Sequence, residues 1–94
     1  MYPTAALFST GAIQELRVCI DLMAKGYDVY RAISPSAPFD LAIWRHGKLI
    51  TVEVKSGYDR GGEKLWVPNP TRAPGTVLAS VGLDRIEYEP QLTD

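Results

Sequence analysis

Asp40, Glu53 and Lys55 are the residues whose types and spacing can do chemistry in this sequence, with Glu15 as a fourth. The first three form the pattern Asp-X12-Glu-X-Lys. Carboxylates are hard oxygen ligands of the kind Mg²⁺ and Mn²⁺ take, with water completing the shell. A metal so held lowers the pKa of a bound water and stabilises charge on a phosphate. The chemistry requires that residues far apart in the chain meet, so the elements that carry them decide the matter.

Leu49 to Gly57, "LITVEVKSG", alternates Ile50, Val52 and Val54 with Thr51, Glu53 and Lys55, the period of a β-strand. Glu53 and Lys55 then share one face. A surface ion pair and a catalytic pair are both consistent with that. Just before it, "RHGK" is a tight turn between two strands. If His46-Gly47 is a two-residue turn, Arg45 pairs with Lys48 and Asp40 stands across from Glu53. Opposed side chains have Cβ atoms about 5 Å apart, so the two carboxylates repel. A divalent cation reverses the sign of that interaction, and Lys55 offsets part of it. A longer turn would give another register.

A helix is predicted over residues 10–25, with Ser9 or Thr10 as N-cap and Gly26 just past its C-terminus. At about 100° per residue, Gln14, Arg17, Asp21 and Lys25 form a polar stripe, and Leu16, Cys19, Ile20, Leu22 and Met23 an apolar arc expected to pack on the sheet. Glu15 falls inside that apolar arc. A first-turn carboxylate favoured by the helix dipole is one explanation; a functional site facing the sheet is the other. Three carboxylates and an amine would converge there.

The remaining elements are an irregular lead over 1–9, strands at 27–33, 39–44 and 48–56, a Gly/Pro-rich segment over 57–75 with a short strand at 65–67, strands at 76–82 and 85–90, and a tail, "QLTD", expected to be disordered. The order α-β-β-β-loop-β-β implies a mixed sheet with a helix packed on it, an α/β (α+β) fold in one domain spanning 1–94.

Composition narrows the function. The lone Cys19 excludes an intramolecular disulfide and, with one His, leaves no zinc site of the Cys/His type. The first ten residues lack the basic and apolar regions of a signal peptide, and no run approaches a membrane span, so a cytoplasmic location is expected. A formal net charge of −1 argues weakly against nucleic-acid binding, because phosphate contacts need Lys and Arg. Yet Arg45, His46, Lys48, Arg60, Lys64 and Arg72 cluster within residues 45–72, enough for a local basic surface.

"FDLAIWRHGKLITVEVK" resembles the PD-(D/E)XK nuclease superfamily, in which an Asp precedes Glu-X-Lys on neighbouring strands. "GAIQELRVCIDLMAKGYDVYRAI" is similar to the first helix and strand of its archaeal Holliday-junction-resolvase branch, which carries a Glu early in that helix, and to small nucleases associated with group I introns. The resemblance spans roughly Gly11 to Ser56. It implies a minimal restriction-endonuclease-like core. Asp40, Glu53 and the Val54 carbonyl would bind metal, with Glu15 an auxiliary ligand, directly or through water. Lys55 would orient or activate the attacking water. Phe39 stands where many members have Pro, and residues 57–75 replace a helix that resolvases place after the Lys.

The resulting expectation is a Mg²⁺- or Mn²⁺-dependent endodeoxyribonuclease, Holliday-junction-resolvase-like or homing-endonuclease-like, of prokaryotic or phage-type context. It would act on branched DNA or on a duplex site as a homodimer or higher homo-oligomer, and not at a membrane. The alternatives are a non-catalytic DNA-binding or assembly module on the same fold, and a structural subunit whose Glu53–Lys55 pair is surface decoration. Tyr58 and Trp66 are read either as base-stacking groups or as anchors for the loop, and Arg60 and Lys64 either as phosphate contacts or as solvated charges. His46 is read as a solvated turn residue rather than a base, Ser34 and Ser36 as turn chemistry rather than a loop facing the scissile phosphate, and Arg31 as a sheet-edge residue rather than a contact to the DNA backbone.

Overall fold

A computed structural model describes residues 4–34 and 36–93 of the chain. Helix α1, Thr4–Ala24, is followed by β1 (Asp28–Arg31), β2 (Leu41–Arg45), β3 (Lys48–Ser56), β4 (Val77–Val81) and β5 (Ile86–Glu89). This is the expected order. The strands lie in the sheet in chain sequence, β1 to β5. All neighbours are antiparallel except β3 and β4, which are parallel. The result is a small α/β restriction-endonuclease-like fold with α1 on one face of a mixed sheet.

The helix corrects the expected lead and N-cap. It begins at Thr4 and runs through Ser9 and Thr10, while residues 1–3 lie outside the described residues. Its end is as expected. Gly26 adopts φ 95°, which a side chain would strain. Tyr27 N–H donates to the Leu22 carbonyl (3.1 Å) and Gly26 N–H to that of Met23 (3.0 Å), the paired bonds of a Schellman motif. Arg45 Nη1 caps the Lys25 carbonyl at 2.8 Å.

The packing face of α1 is also corrected. Val18, Cys19 and Leu22 are buried, but Leu16, Ile20 and Met23 of the expected apolar arc face solvent. Three members of the polar stripe turn inward instead, each with a partner from later in the chain. Ser56 Oγ donates to Gln14 Oε1 (3.0 Å), Arg17 Nη1 to the Gly82 carbonyl (2.7 Å), and Tyr88 Oη to Asp21 Oδ2 (2.6 Å). Lys25 stays exposed and pairs with Asp21 at 2.9 Å.

Beneath the helix, Leu41, Ile43, Val52, Val77, Ala79 and Val81 form the core with Val18, Leu22 and Tyr27. These are one set of alternating positions on β2, β3 and β4, so the other set faces away from the helix. On β4 both sets are buried, including Leu78 and Ser80, because the 57–75 segment covers that second face. Leu65 is the plug. A Cβ added at Gly57 or Gly82 would lie 3.0 Å from its side chain, closer than ordinary contact, so Leu65 would have to give way. Glu87 fastens the segment, accepting from Leu65 N–H (2.8 Å) and from Arg85 Nε (2.8 Å). The short strand expected at 65–67 is an isolated bridge between Tyr58 and Trp66. No helix forms in this segment. Residues 91–93 carry no regular structure, but Leu92 packs against the core, which corrects the expected disorder of the tail; Asp94 lies outside the described residues.

The hairpin has the expected two-residue turn. His46 (φ 53°) and Gly47 (φ 75°) both adopt positive φ, the type I′ geometry that matches strand twist. Arg45 pairs with Lys48 and Leu41 with Val52, the register that determines the site.

Candidate metal and phosphodiester site

Asp40 immediately precedes β2, and continuing the register one step puts it opposite Glu53. Its backbone is fixed on both sides: Asp40 N–H donates to the Val52 carbonyl (3.1 Å), and Ala32 N–H donates to the Asp40 carbonyl (3.0 Å). Its side chain folds back onto β3, where Oδ2 accepts from Val54 N–H at 2.8 Å. One carboxylate oxygen is thus anchored by the backbone beside Glu53. Partner and neighbour come from the same hairpin, so the turn sets the geometry.

Glu53 is half-buried on the sheet face away from α1. Its carboxyl is held above the ordinary range. Burial contributes most, then the Asp40 charge; Lys55 opposes them and Glu15 adds to them. Glu53 therefore senses all three other candidates, and two of them as like charges. Excess negative charge of this kind favours a cation.

Lys55 shares the face with Glu53, two residues along β3. Its Nζ donates to the Asn69 carbonyl and, at 2.8 Å, to the Thr71 carbonyl. Those carbonyls belong to "PNPT", where Pro68 and Pro70 restrict the backbone and keep it extended. The loop thus positions the lysine, a role invisible in the residue pattern because a backbone acceptor can be any residue type.

Glu15 lies well inside α1, so the helix-dipole explanation does not apply to it. Its carboxylate meets Arg31 Nη2 on β1 at 3.3 Å, with both groups partly exposed. The buried Cys19 thiol, one helical turn after Glu15, is pushed up by burial first, lowered by Arg31 and raised by Glu15. Among the described residues no three His, Cys, Asp or Glu side chains come close enough together to hold a metal ion. Asp40 and Glu53 are brought together; Glu15 reaches them through charge. Two carboxylates with water filling the shell is a donor set Mg²⁺ accepts.

The other candidates divide. Tyr58 and Trp66 clasp each other with ring centroids 6.2 Å apart, and Arg60 lies over the Trp66 ring at 3.5 Å. These contacts lie within the loop, and both rings stay exposed. Arg72 donates to the Thr76 carbonyl at 2.8 Å and so closes the loop. Ser34 and Ser36 hydrogen-bond to one another (3.0 Å), and His46 sits exposed in the turn. Unforeseen are the exposed Tyr30, Trp44 and Leu49, which share the sheet face of Glu53.

Residues 8–72 match the PD-(D/E)XK endonuclease family, well over half of the chain, with Glu15, Asp40, Glu53 and Lys55 all inside the match. The chain belongs to that family. No curated protein and no solved structure gives a significant match. Family membership supports a nuclease-type function with DNA as substrate, and such nucleases generally use Mg²⁺ or Mn²⁺. Among the described residues, no helix is long and apolar enough to cross a membrane.

Proposed function

We propose that this protein is a metal-dependent endodeoxyribonuclease that hydrolyses DNA phosphodiester bonds. The observation that carries the reading is the hairpin register, which sets Asp40 across from Glu53 with Asp40 Oδ2 held by Val54 N–H. Asp40 and Glu53 are the residues that would hold Mg²⁺ or Mn²⁺, with the Val54 carbonyl as a further oxygen and Glu15 acting through water. A bound metal supplies an acidified water and charge neutralisation at the phosphate. Asp40, with Oδ2 anchored by Val54 N–H, and the half-buried Glu53 beside it would supply the negative charge and oxygen ligands that hold the cation. Lys55 orients the attacking water, and its ties to Asn69 and Thr71 hold the amine at a defined distance from β3.

The preferred substrate is branched DNA, in the manner of Holliday-junction resolvases, with a duplex site of the homing type second. A homodimer or higher homo-oligomer suits paired cuts, and a cytoplasmic, prokaryotic or phage-type setting goes with both. A non-catalytic DNA-binding module on this fold is the competing reading; Lys55, bonded to the loop, gives it some support.

The test is calorimetric titration of Mg²⁺ and Mn²⁺ into wild type and Glu53→Gln, with cleavage of a four-way junction and a plain duplex alongside. Metal binding lost in the variant, and nicking by wild type but not by Asp40→Asn or Lys55→Met, is the expected outcome. DNA binding without metal binding or cleavage by the folded wild type favours the non-catalytic module.

A further inference from the structure

Helix α1 presents its apolar residues outward and its polar ones inward. Ile13, Leu16, Ile20 and Met23 are 56, 47, 64 and 55 % exposed. Meanwhile Gln14, Arg17 and Asp21 each hold a hydrogen bond to the body of the protein. Those bonds fix the rotation of the helix, so the outward stripe is built in and cannot be relieved by turning the helix. Its four side chains present on the order of 400 Å² of apolar surface, the scale of the largest patches on soluble monomers.

We infer that this stripe is a self-association surface through which two copies of the chain pair α1 against α1, antiparallel. The spacing carries the choice of occupant. Ile13, Leu16, Ile20 and Met23 follow a 3-4-3 interval, the seam of two-helix packing. That interval is also symmetric about residue 18. A twofold axis there puts Ile13 beside Met23 of the partner subunit and Leu16 beside Ile20 of the partner subunit, as an isologous contact requires. The flanks suit close approach. Ala12 and Ala24 are small and exposed, and Arg17, the charged neighbour, is already tied to the Gly82 carbonyl. A standard interface buries about 800 Å² per partner, so the stripe supplies about half and the flanks form the rim.

This gives a surface to the dimer proposed above, and its test reads mass rather than cleavage. Sedimentation equilibrium of the full chain is expected to show a dimer in the micromolar range. Leu16→Glu and Ile20→Glu, both at exposed positions, are expected to raise the dissociation constant at least about 100-fold with unchanged circular dichroism. Orientation is tested by mixing Ile13→Cys and Met23→Cys chains under mild oxidation. Disulfides between the two different chains are expected. Two Ile13→Cys chains should not cross-link, since an antiparallel pair holds those positions about 15 Å apart along the axis. A wild type that stays monomeric at about 100 µM overturns the inference and leaves the stripe to a different partner. So does a dimer indifferent to both Glu substitutions, or efficient Ile13→Cys self-cross-linking.

Discussion

Replacing Glu53 with Gln should stabilise the metal-free protein while removing its response to metal. The side chain keeps its shape and loses its charge. In the hairpin register Glu53 stands opposite Asp40. At about 6 Å and an effective dielectric of about 40, two like charges repel by about 1.4 kcal/mol. Lys55 on the same face offsets part of that, leaving about 0.5–1 kcal/mol, or about 3–6 °C in Tm for a domain of this size. The sign is checked by pH. Burial, then Asp40, hold the Glu53 carboxyl above its ordinary value against the opposing pull of Lys55, so the folded state binds that proton more tightly than the unfolded chain does. The penalty is present in full at neutral pH, wanes as pH falls through the raised value, and is gone below the ordinary carboxylate value. Thermal unfolding in EDTA at pH 7.5 and at mildly acidic pH is the assay, followed by Mg²⁺ at pH 7.5. The variant should melt higher in EDTA, the gap should close on acidification, and wild type alone should gain from metal. A variant that melts lower than wild type in EDTA at neutral pH would refute the reasoning, because Glu53 would then be held by a favourable pair with Lys55.

Two further outcomes follow from the covered second face. Leu65→Ala removes the plug between Gly57 and Gly82 and should cost about 2–4 kcal/mol, read as a lower melting temperature and faster proteolysis within residues 57–75. The Glu87 carboxyl is held below its ordinary value by Arg85 first and then, against burial, by Leu65 N–H. Its stabilising contribution is therefore present above the ordinary carboxylate pKa and is lost as pH falls through the depressed value. Glu87→Gln should flatten the acid limb of the wild-type stability profile, measured by urea unfolding between neutral and strongly acidic pH.

The strands were legible because their signals are local. Alternation in "LITVEVKS" marks β3, and His46-Gly47 fixes the register, from which Asp40 opposite Glu53 follows without further information. The helix was legible in kind and in its C-terminal glycine, but not in its rotation. A helical projection sorts residues by polarity, and Gln14, Arg17 and Asp21 are polar; their partners Ser56, the Gly82 carbonyl and Tyr88 lie more than 40 residues away. Nothing near the helix announces them. Glu15 shows the same limit from the other side. Its position on the wheel flagged it as misplaced, and the structure gives it Arg31 as an ion-pair partner. The loop over Lys55 was hidden for a different reason, since its acceptors are backbone carbonyls.

The parallel seam between β3 and β4 has a kinetic consequence. Every other strand pair joins neighbours along the chain through a short connection, whereas β4 reaches β3 only after residues 57–76 have crossed the sheet. The β1–β2–β3 meander and the β4–β5 hairpin can each form from nearby residues, within microseconds for a hairpin. Joining them requires closing the long loop before any seam hydrogen bond rewards it. Closure of that seam is therefore the step expected to limit the rate of folding. Substitutions that stiffen the crossover away from Leu65, which seats the loop between Gly57 and Gly82, should speed the molecule to its native state.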